Sequence, residues 1–451
     1  MTIIRQGSLF DLQELYDLEP TQRFESIFST IDIDPIFAVV TKKSRFGRPV
    51  ELNYAAMIYS LIARITERIP FVKDLVHRLK NDMIFRLDCG FLVSDSVPSE
   101  AAYSRLITII SKSNVLERVQ ETLLLQAITE EFINDDTIAI DASHFEARDQ
   151  APPKDEKPET EPKKRGRKSK AEREQWLVEQ AEHEANLPLF EKKIEDQLDV
   201  PLVELRTKIP QEPRWGVKKN SEGKNVFWYG YKAHLAVGAK SQYILQSLFS
   251  SGSLNDGKAA IPLLKGIHER LPLPSLHYHT MDAGYDYEPI YTHIHRMGHQ
   301  AVIAYNKRNE PEPLGFDKHF APTCVREHSY RYDSFDPKYE TLKYTRPKEC
   351  KDCPLANEAL CQKVYKVKIT TDLRKYTAPA RGSKSWKDIF KRRTAVERVN
   401  AYLKEYFQLN NVRYRTGKRA KVHFDLVILV YNASKLAVDR MNALLVNDRV
   451  A

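Results

Sequence analysis

The sequence predicts an α/β protein: a mixed sheet with flanking helices, preceded by an all-helical segment and interrupted by two insertions. Three observations carry this. Apolar residues recur at helical spacing through residues 1–130. At Thr137 the texture changes to short β-branched runs that alternate with helical stretches. Two stretches break that alternation, a charged Pro-rich tract within 147–215 and a cysteine-bearing one over 307–385.

In the first segment, "LNYAAMIYSLIARIT" (52–66) and "FVKDLVHRLKNDMIFRL" (71–87) each read as one amphipathic helix. "GRPV" at 47–50 is a turn into the first of them, and Ser99 after Pro98 is an N-cap for "AAYSRLITIISK". Helices joined by short turns fit a helix-turn-helix reader of DNA; helical bundles with other duties share the pattern.

"TIAIDASHF" from Thr137 reads as a buried strand ending in an acid. The following "APPKDEKPETEPKKRGRKSKAEREQW" has the composition of a solvated linker. Within it "KKRGRKSK" resembles a minor-groove hook, although such tracts also serve as plain linkers. Strands return at 225–237, 243–249 and 276–286, with a helix at 256–270; "YEPIYTHIHRMG" is a further helix and 300–306 a further strand. The order is β, insertion, β, β, α, β, α, β, and after the second insertion comes a long helix.

Composition limits the function. The chain has 451 residues, 42% hydrophobic and 29% charged, which suits two or three globular domains. Its most apolar stretch, "FDLVILVYNASKLAV", is interrupted by Asp425, Asn432 and Lys435 and reads as a buried helix, not a membrane span. The N-terminus lacks a signal-peptide pattern, so the expected compartment is the cytoplasm. The net charge of +9 is concentrated: Lys387 to Lys421 holds 11 Lys or Arg against three acids, with Tyr402, Tyr406, Phe407 and Tyr414 among them. A basic segment threaded with aromatics points to nucleic acid; a solvated basic helix is the plainer alternative.

Asp141 ends the first strand and Asp282 the fourth. If those strands are neighbours, the two carboxylates meet at the strand ends, where sites of α/β sheets form. Glu397 lies on the late helix, which can pack across that edge. Three converging carboxylates repel one another unless hard cations sit between them, and Mg²⁺ prefers such oxygens. Two ions about 3.5–4 Å apart serve phosphoryl transfer. Against this, Asp135, Asp136 and Asp286 compete as candidates, an Asp after a strand commonly forms a turn, and Glu397 with Arg393 makes an ordinary i,i+4 pair. Phe390, Arg393, Glu397 and Lys404 fall on one face of a single helix, offering a ring, a guanidinium, a carboxylate and an ammonium to a DNA end.

These motifs resemble the bacterial insertion-sequence transposases of the DDE type, whose catalytic domain has the RNase H-like fold. One large group of them carries a third-acid signature of Tyr, two residues, Arg, three residues, Glu, six residues, Lys. "FKRRTAVERVNAYLK" is similar at Arg393, Glu397 and Lys404, with Phe390 in the tyrosine position. "IDAS" and "MDAGYD" are similar to the motifs around the first two aspartates, which favours Asp141 and Asp282 over their neighbours. "YGYKAHLAV" resembles the second strand, with no role assigned to Lys232 or His234, and "IFSTIDIDPIFAVVTKKSRFGRPVE" resembles the helical module that often precedes this domain.

The resemblance implies an enzyme that binds double-stranded DNA at terminal inverted repeats, cuts there with Mg²⁺ (two ions held by Asp141, Asp282 and Glu397), and joins the 3′-OH ends to target DNA, usually as a homodimer. Phe390, Arg393 and Lys404 would contact the DNA. The chain then divides into a helical DNA-binding domain (1–130), a first part of the catalytic domain (131–306, with the linker 147–215), a Cys-rich insertion (307–385) and final helices carrying the third acid (386–440). Two other readings are a catalytically inactive DNA-binding descendant and an RNase H-like nuclease or resolvase without strand transfer.

Of five cysteines, Cys324, Cys350, Cys353 and Cys361 fall within 38 positions, and clustering of this kind in a reducing compartment favours a metal over disulfides. Four thiolates suffice for a structural Zn²⁺, with His319 or His328 as substitutes for one of them. Such an ion would staple an insertion too small to build its own core; unligated thiols are the alternative. Cys89 stands apart and reads as a small buried hydrophobe.

Overall fold

The computed structural model describes residues 11–41, 52–153, 169–219, 222–311, 313–356, 358 and 361–450. The "GRPV" turn and most of the "KKRGRKSK" tract lie outside these residues.

Eight helices form the amino-terminal part: α1 (Leu12–Asp17), α2 (Pro20–Phe28), α3 (Asp34–Val40), α4 (Tyr54–Thr66), α5 (Val72–Asn81), α6 (Met83–Asp88), α7 (Glu100–Ile110) and α8 (Val115–Thr129). Ser99 caps α7 as expected, its hydroxyl accepting from the Ala102 N–H at 3.3 Å. The single helix expected over 71–87 is two. Asp82 leaves the helical conformation (φ −113°, ψ 100°) and its carboxylate caps α6 through the Phe85 N–H. An aspartate serves the backbone better as a cap than inside a helix. Cys89 is fully buried, as expected.

The main sheet uses β1 (Thr137–Glu146), β2 (Arg214–Lys219), β3 (Asn225–Gly238), β4 (Ile244–Ser251), β5 (Tyr278–Met281) and β6 (Gln300–Ile303). β1 lies between β3, antiparallel, and β5, parallel, and β6 continues parallel beyond β5. β4 runs along 231–237 of β3 and β2 along 225–230. Without β2, which sequence patterning missed, the order is β4-β3-β1-β5-β6 with the first three antiparallel, the RNase H-like arrangement.

Between β1 and β3 lie α9 (Lys170–Asn186) and α10 (Leu202–Lys208). α9 buries no residue, as befits its polar composition. The chain after it does not behave as a solvated linker: Phe190, Ile194, Leu205 and Ile209 join the main core. α11 (Asp256–Arg270) and α12 (Glu288–Arg296) link β4 to β5 and β5 to β6.

The second insertion forms a separate antiparallel sheet of β7 (Arg331–Asp336), β8 (Thr341–Thr345) and β9 (Val364–Lys368). Contrary to expectation it has a small core of its own, around Tyr330, Leu342, Tyr344, Val367 and Ile369.

The closing helices are α13 (Lys384–Lys391), α14 (Thr394–Glu405) and α15 (Gly417–Val450). α15 carries the apolar "FDLVILVYNASKLAV" stretch, and among the described residues no helix is long and apolar enough to cross a membrane. It packs on β4 and α14 and also on α1, α2, α4, α7 and α8. Asn432, one of the polar interruptions, is fully buried. Its amide accepts from the Ile244 N–H at 3.0 Å and donates to the Ile244 carbonyl at 2.9 Å, satisfying backbone groups on the side of β4 away from β3, its one partner strand in this sheet.

Candidate active site

The sheet register brings the first two acids together. Ile140 of β1 pairs in parallel with Met281 of β5, so Asp141 and Asp282 come next on two neighbouring strands. Only Asp282 follows the end of its strand; contrary to expectation Asp141 lies inside β1, opposite Leu235, because β3 keeps β1 extended to Glu146 after β5 has stopped. Neighbouring strands are about 4.8 Å apart. Asp141 Oδ1 accepts from the Ala142 N–H at 2.8 Å, and Asp282 Oδ1 caps the short turn after β5 through the Gly284 N–H at 2.9 Å.

Burial sets the electrostatics. It is the main cause that pushes the Asp141 carboxyl up to about 6; the Ala142 N–H and Arg393 oppose it, while Asp282 and Asp256 reinforce it. Asp282 is raised for the same first reason, with Asp256 and Glu397 adding repulsion and Gly284 and Arg393 opposing. Glu397, in the first turn of α14, therefore acts on Asp282 through space. Its own carboxylate accepts from Arg393 Nη2 at 2.6 Å, the i,i+4 pair that the sequence allowed, and half of its side chain faces solvent (48%). Beneath the acids lies Tyr285, fully buried. Burial and the three aspartates oppose its ionisation, and its hydroxyl has no partner among the described residues.

The competing acids have other partners. Asp135 accepts from the Lys240 and Ser241 N–H groups at the β3–β4 turn. Asp136 pairs with Arg392 at 2.8 Å. Asp286 is buried against Arg374, Tyr291 and the Asn306 N–H.

The single face expected for Phe390, Arg393, Glu397 and Lys404 is broken. Phe390 belongs to α13 and the rest to α14 or its junction, where Arg392 and Arg393 make a tight turn with i→i+3 bonds, Ala395 N–H to Arg392 O and Val396 N–H to Arg393 O. Phe390 stacks on Trp386 (4.8 Å between centroids) and carries the Arg393 guanidinium 5.8 Å from its ring. Lys404 is half-buried; burial and Lys218 lower its pKa while Asp141 raises it, so it too borders the acids.

Sequence reasoning passed over Asp256. It opens α11 and its charge acts on Asp141, Asp282 and Tyr285. Lys232 Nζ, the lysine left without a role, donates to its carboxylate at 2.8 Å and to the Leu254 carbonyl at 2.8 Å. His234 is fully buried, bonded to Ser250 Oγ at 2.8 Å. The signal at Asp256 was masked because "LNDG" reads as an ordinary helix start.

A basic groove lies between the amino-terminal helices and the β1 end. Lys73, Arg148, Arg413, Arg415 and Arg419 line it, with Asp74 and Glu100 as its acids. Arg413 lies over the Phe71 ring at 4.5 Å.

Cys324, Cys350, Cys353 and Cys361 share one locality in the second insertion. The Cys350 thiol is raised by partial burial and then by the other three. Among the described residues, however, no three of these sulfurs meet within 4.8 Å; only His268, His279 and His299 bring ligand atoms that close.

The Transposase DDE domain family matches residues 204–433, just over half of the chain, a span that includes Asp282 and Glu397 and begins after Asp141. A second family, Transposase domain (DUF772), matches residues 13–109. No curated protein matches. Among solved structures, the chain is similar to a piggyBac transposase in a synaptic complex with hairpin DNA, at 11% identity and a TM-score of 0.36, over 97% of this chain and 78% of that one. That likeness is too loose to bear on fold or function. The two family matches, laid end to end along an RNase H-like sheet with a helical segment before it, carry the conclusion: the chain belongs to the insertion-sequence DDE transposases.

Proposed function

We propose that this transposase binds the terminal inverted repeats of its element, cuts at the ends by Mg²⁺-dependent hydrolysis and joins the freed 3′-OH to target DNA. The observation that supports this most is the parallel register of β1 and β5, with Asp141 and Asp282 as its next pair and Glu397 in the field of the second. A crowded, partly desolvated set of carboxylates is the donor chemistry that hard divalent cations take.

In this reading Asp141, Asp282 and Glu397 hold two Mg²⁺ ions, which when bound activate the attacking oxygen and stabilise the leaving one. Arg393 holds Glu397 in place and offers its remaining N–H groups to a phosphate. Lys404 neutralises a second phosphate, and the Phe390 ring stacks on a base. Water attacks the phosphorus at the element end and loses a proton as the P–O3′ bond breaks, and the departing 3′ oxygen takes up a proton to become the 3′-OH. That hydroxyl then attacks a target phosphorus, and the target P–O3′ bond breaks in turn. Both displacements use the same residues because only the nucleophile changes.

The amino-terminal helices (1–130) and the basic groove hold the flanking duplex, a homodimer pairs two ends, and the reaction runs in the cytoplasm. Cys324, Cys350, Cys353 and Cys361 close on a structural Zn²⁺ in the second insertion. The domain boundaries are those read from the sequence, at about 130, 306 and 385.

The test is cleavage of a duplex carrying the element's own end, with and without Mg²⁺, by wild type and Asp141→Asn. Metal-dependent nicking by wild type alone is expected. Binding without cutting by either protein would favour an inactive DNA-binding descendant. Cutting without joining of a labelled 3′-OH end to a plasmid would favour a nuclease or resolvase.

A further inference from the structure

Away from the acids, three histidines from three elements converge. His268 lies in the last turn of α11, His279 on β5, and His299 between α12 and β6. β5 turns His279 toward the side of the sheet that α11 covers, where its ring lies 5.4 Å from that of His268. The His299 ring is 4.7 Å from His268 and 5.3 Å from His279. A left-handed Gly298 (φ +75°) makes the turn that delivers His299, a conformation that glycine adopts without strain.

We infer that His268, His279 and His299 bind a single transition-metal ion that favours nitrogen ligands, of the zinc, cobalt or nickel class. One ligand atom from each residue lies within 4.8 Å of the others. An ion about 2.0–2.1 Å from each nitrogen needs them no more than about 4 Å apart, so small rotations of the two less buried rings close the site.

A hydrogen-bonded cluster is the competing account, and it leaves polar atoms over. His279 Nε2 and His299 Nδ1 are 3.0 Å apart and satisfy each other. His279 Nδ1 and His268 Nε2 are buried with no hydrogen-bond partner among the described residues, and so is Nε2 of the neighbouring His293. Unpaired buried nitrogens are costly and rare, and three in one place point to something that occupies them. The rings are also held neutral, the state in which imidazole ligates: burial lowers His279 well below the usual range and His268 and His293 to about 4, and it lowers His299 as well.

The site differs in kind from the carboxylate cluster. Imidazole nitrogens suit borderline metals, whereas carboxylate oxygens suit Mg²⁺. His279 and Asp282 are three residues apart, about 10 Å along an extended chain. The ion would tie the end of α11, the start of β5 and the entry to β6, fixing the strand that carries Asp282.

The full chain would be stripped with chelator, kept in excess Mg²⁺ to occupy the carboxylates, and loaded with Zn²⁺. Bound zinc would be counted by mass spectrometry in wild type, His299→Gln, His268→Gln and Cys350→Ser. Each histidine variant is expected to hold one equivalent less than wild type, while Cys350→Ser keeps the histidine-bound ion. Equal zinc in wild type and both histidine variants would overturn the proposal and leave the trio as packing. X-ray absorption of zinc-loaded Cys350→Ser needs no histidine variant to fold. A nitrogen shell at about 2.0–2.1 Å with the outer scattering of imidazole is expected; a sulfur shell, or no retained zinc, would overturn the site.

Discussion

Asp141 and Asp282 occupy the position one residue past the Ile140–Met281 pair, where β5 stops and β1 runs on against β3, so two carboxylates stand side by side. The arrangement is unfavourable for the folded chain on its own. Burial raises Asp141 to about 6, and Asp282 adds to the rise. The native state thus takes up a proton more readily than the unfolded chain, and above that value the charge opposes folding by on the order of 2–3 kcal/mol.

Asp141→Asn is therefore expected to stabilise the metal-free protein at pH 7 to 8. The gain should shrink as pH falls through 6 toward 4, where wild-type Asp141 carries its proton. Melting curves of both proteins across that range, with Mg²⁺ and without, check this. Mg²⁺ should raise wild type alone, because an ion bound only by the native state stabilises it. A variant no more stable than wild type at pH 8 would argue against a charge penalty at Asp141.

Glu397→Gln keeps an acceptor for Arg393 but removes a carboxylate from the proposed metal site. Loss of outer supporting groups costs metal sites about 10–100-fold, so end cleavage should fall by more than about a hundredfold. Binding of the end duplex, read by mobility shift, should stay close to wild type. Cleavage at the wild-type rate would reduce Glu397 to the ion pair seen at 2.6 Å.

Arg413 and Arg415 face solvent in the basic groove. If duplex lies there, Arg413→Ala with Arg415→Ala should weaken binding of any sequence alike. The slope of log affinity against log salt should fall by about 2, one unit for each phosphate that the arginines no longer neutralise. An unchanged slope would move the DNA path elsewhere.

Buried histidines set the acid limit. Burial lowers His234 and His293 to about 4 and His423 to about 3. All are neutral in both states above about pH 6.5. Below it the unfolded chain gains protons that the native state refuses, and stability falls by about 1.4 kcal/mol per pH unit for each histidine until the native values are reached. Denaturant unfolding at pH 7, 6 and 5 should show this loss steepening below 6.5; His234→Gln should lessen it if that variant folds.

Much of this was legible from residue order. The change of texture at Thr137, the strand that holds Asp141, the acid that follows β5 and the helix around Glu397 are local patterns, and the structure keeps them, although β1 runs on past Asp141 to Glu146. What escaped has physical reasons. The α13–α14 junction at Arg392 and Arg393 stays in helical backbone space and needs neither glycine nor proline, so periodicity runs through it unmarked. β2 is mostly exposed, and its alternation of Trp215 and Val217 with lysines and a glycine is too brief to stand out. Asp256 looks like any residue at a helix start until Lys232 meets it from the neighbouring strand. The three histidines are separated by 11 and 20 positions, and only the packing of α11 on β5 and the turn at Gly298 brings them together.

α15 has a bearing on how such an enzyme can be rebuilt. A chain starting at residue 131 would keep every strand and all three acids of the proposed site. It would also bare the flank of α15 that α1, α2, α4, α7 and α8 cover, and remove the hydroxyl of Thr30 that reaches the Ala433 carbonyl at 3.3 Å. An apolar flank left open in this way seeks another cover, and a second copy is the nearest. If those helices read DNA as proposed, retargeting the enzyme means exchanging side chains on helices left in place, since grafting a foreign reader at that seam would cut through the protein's interior.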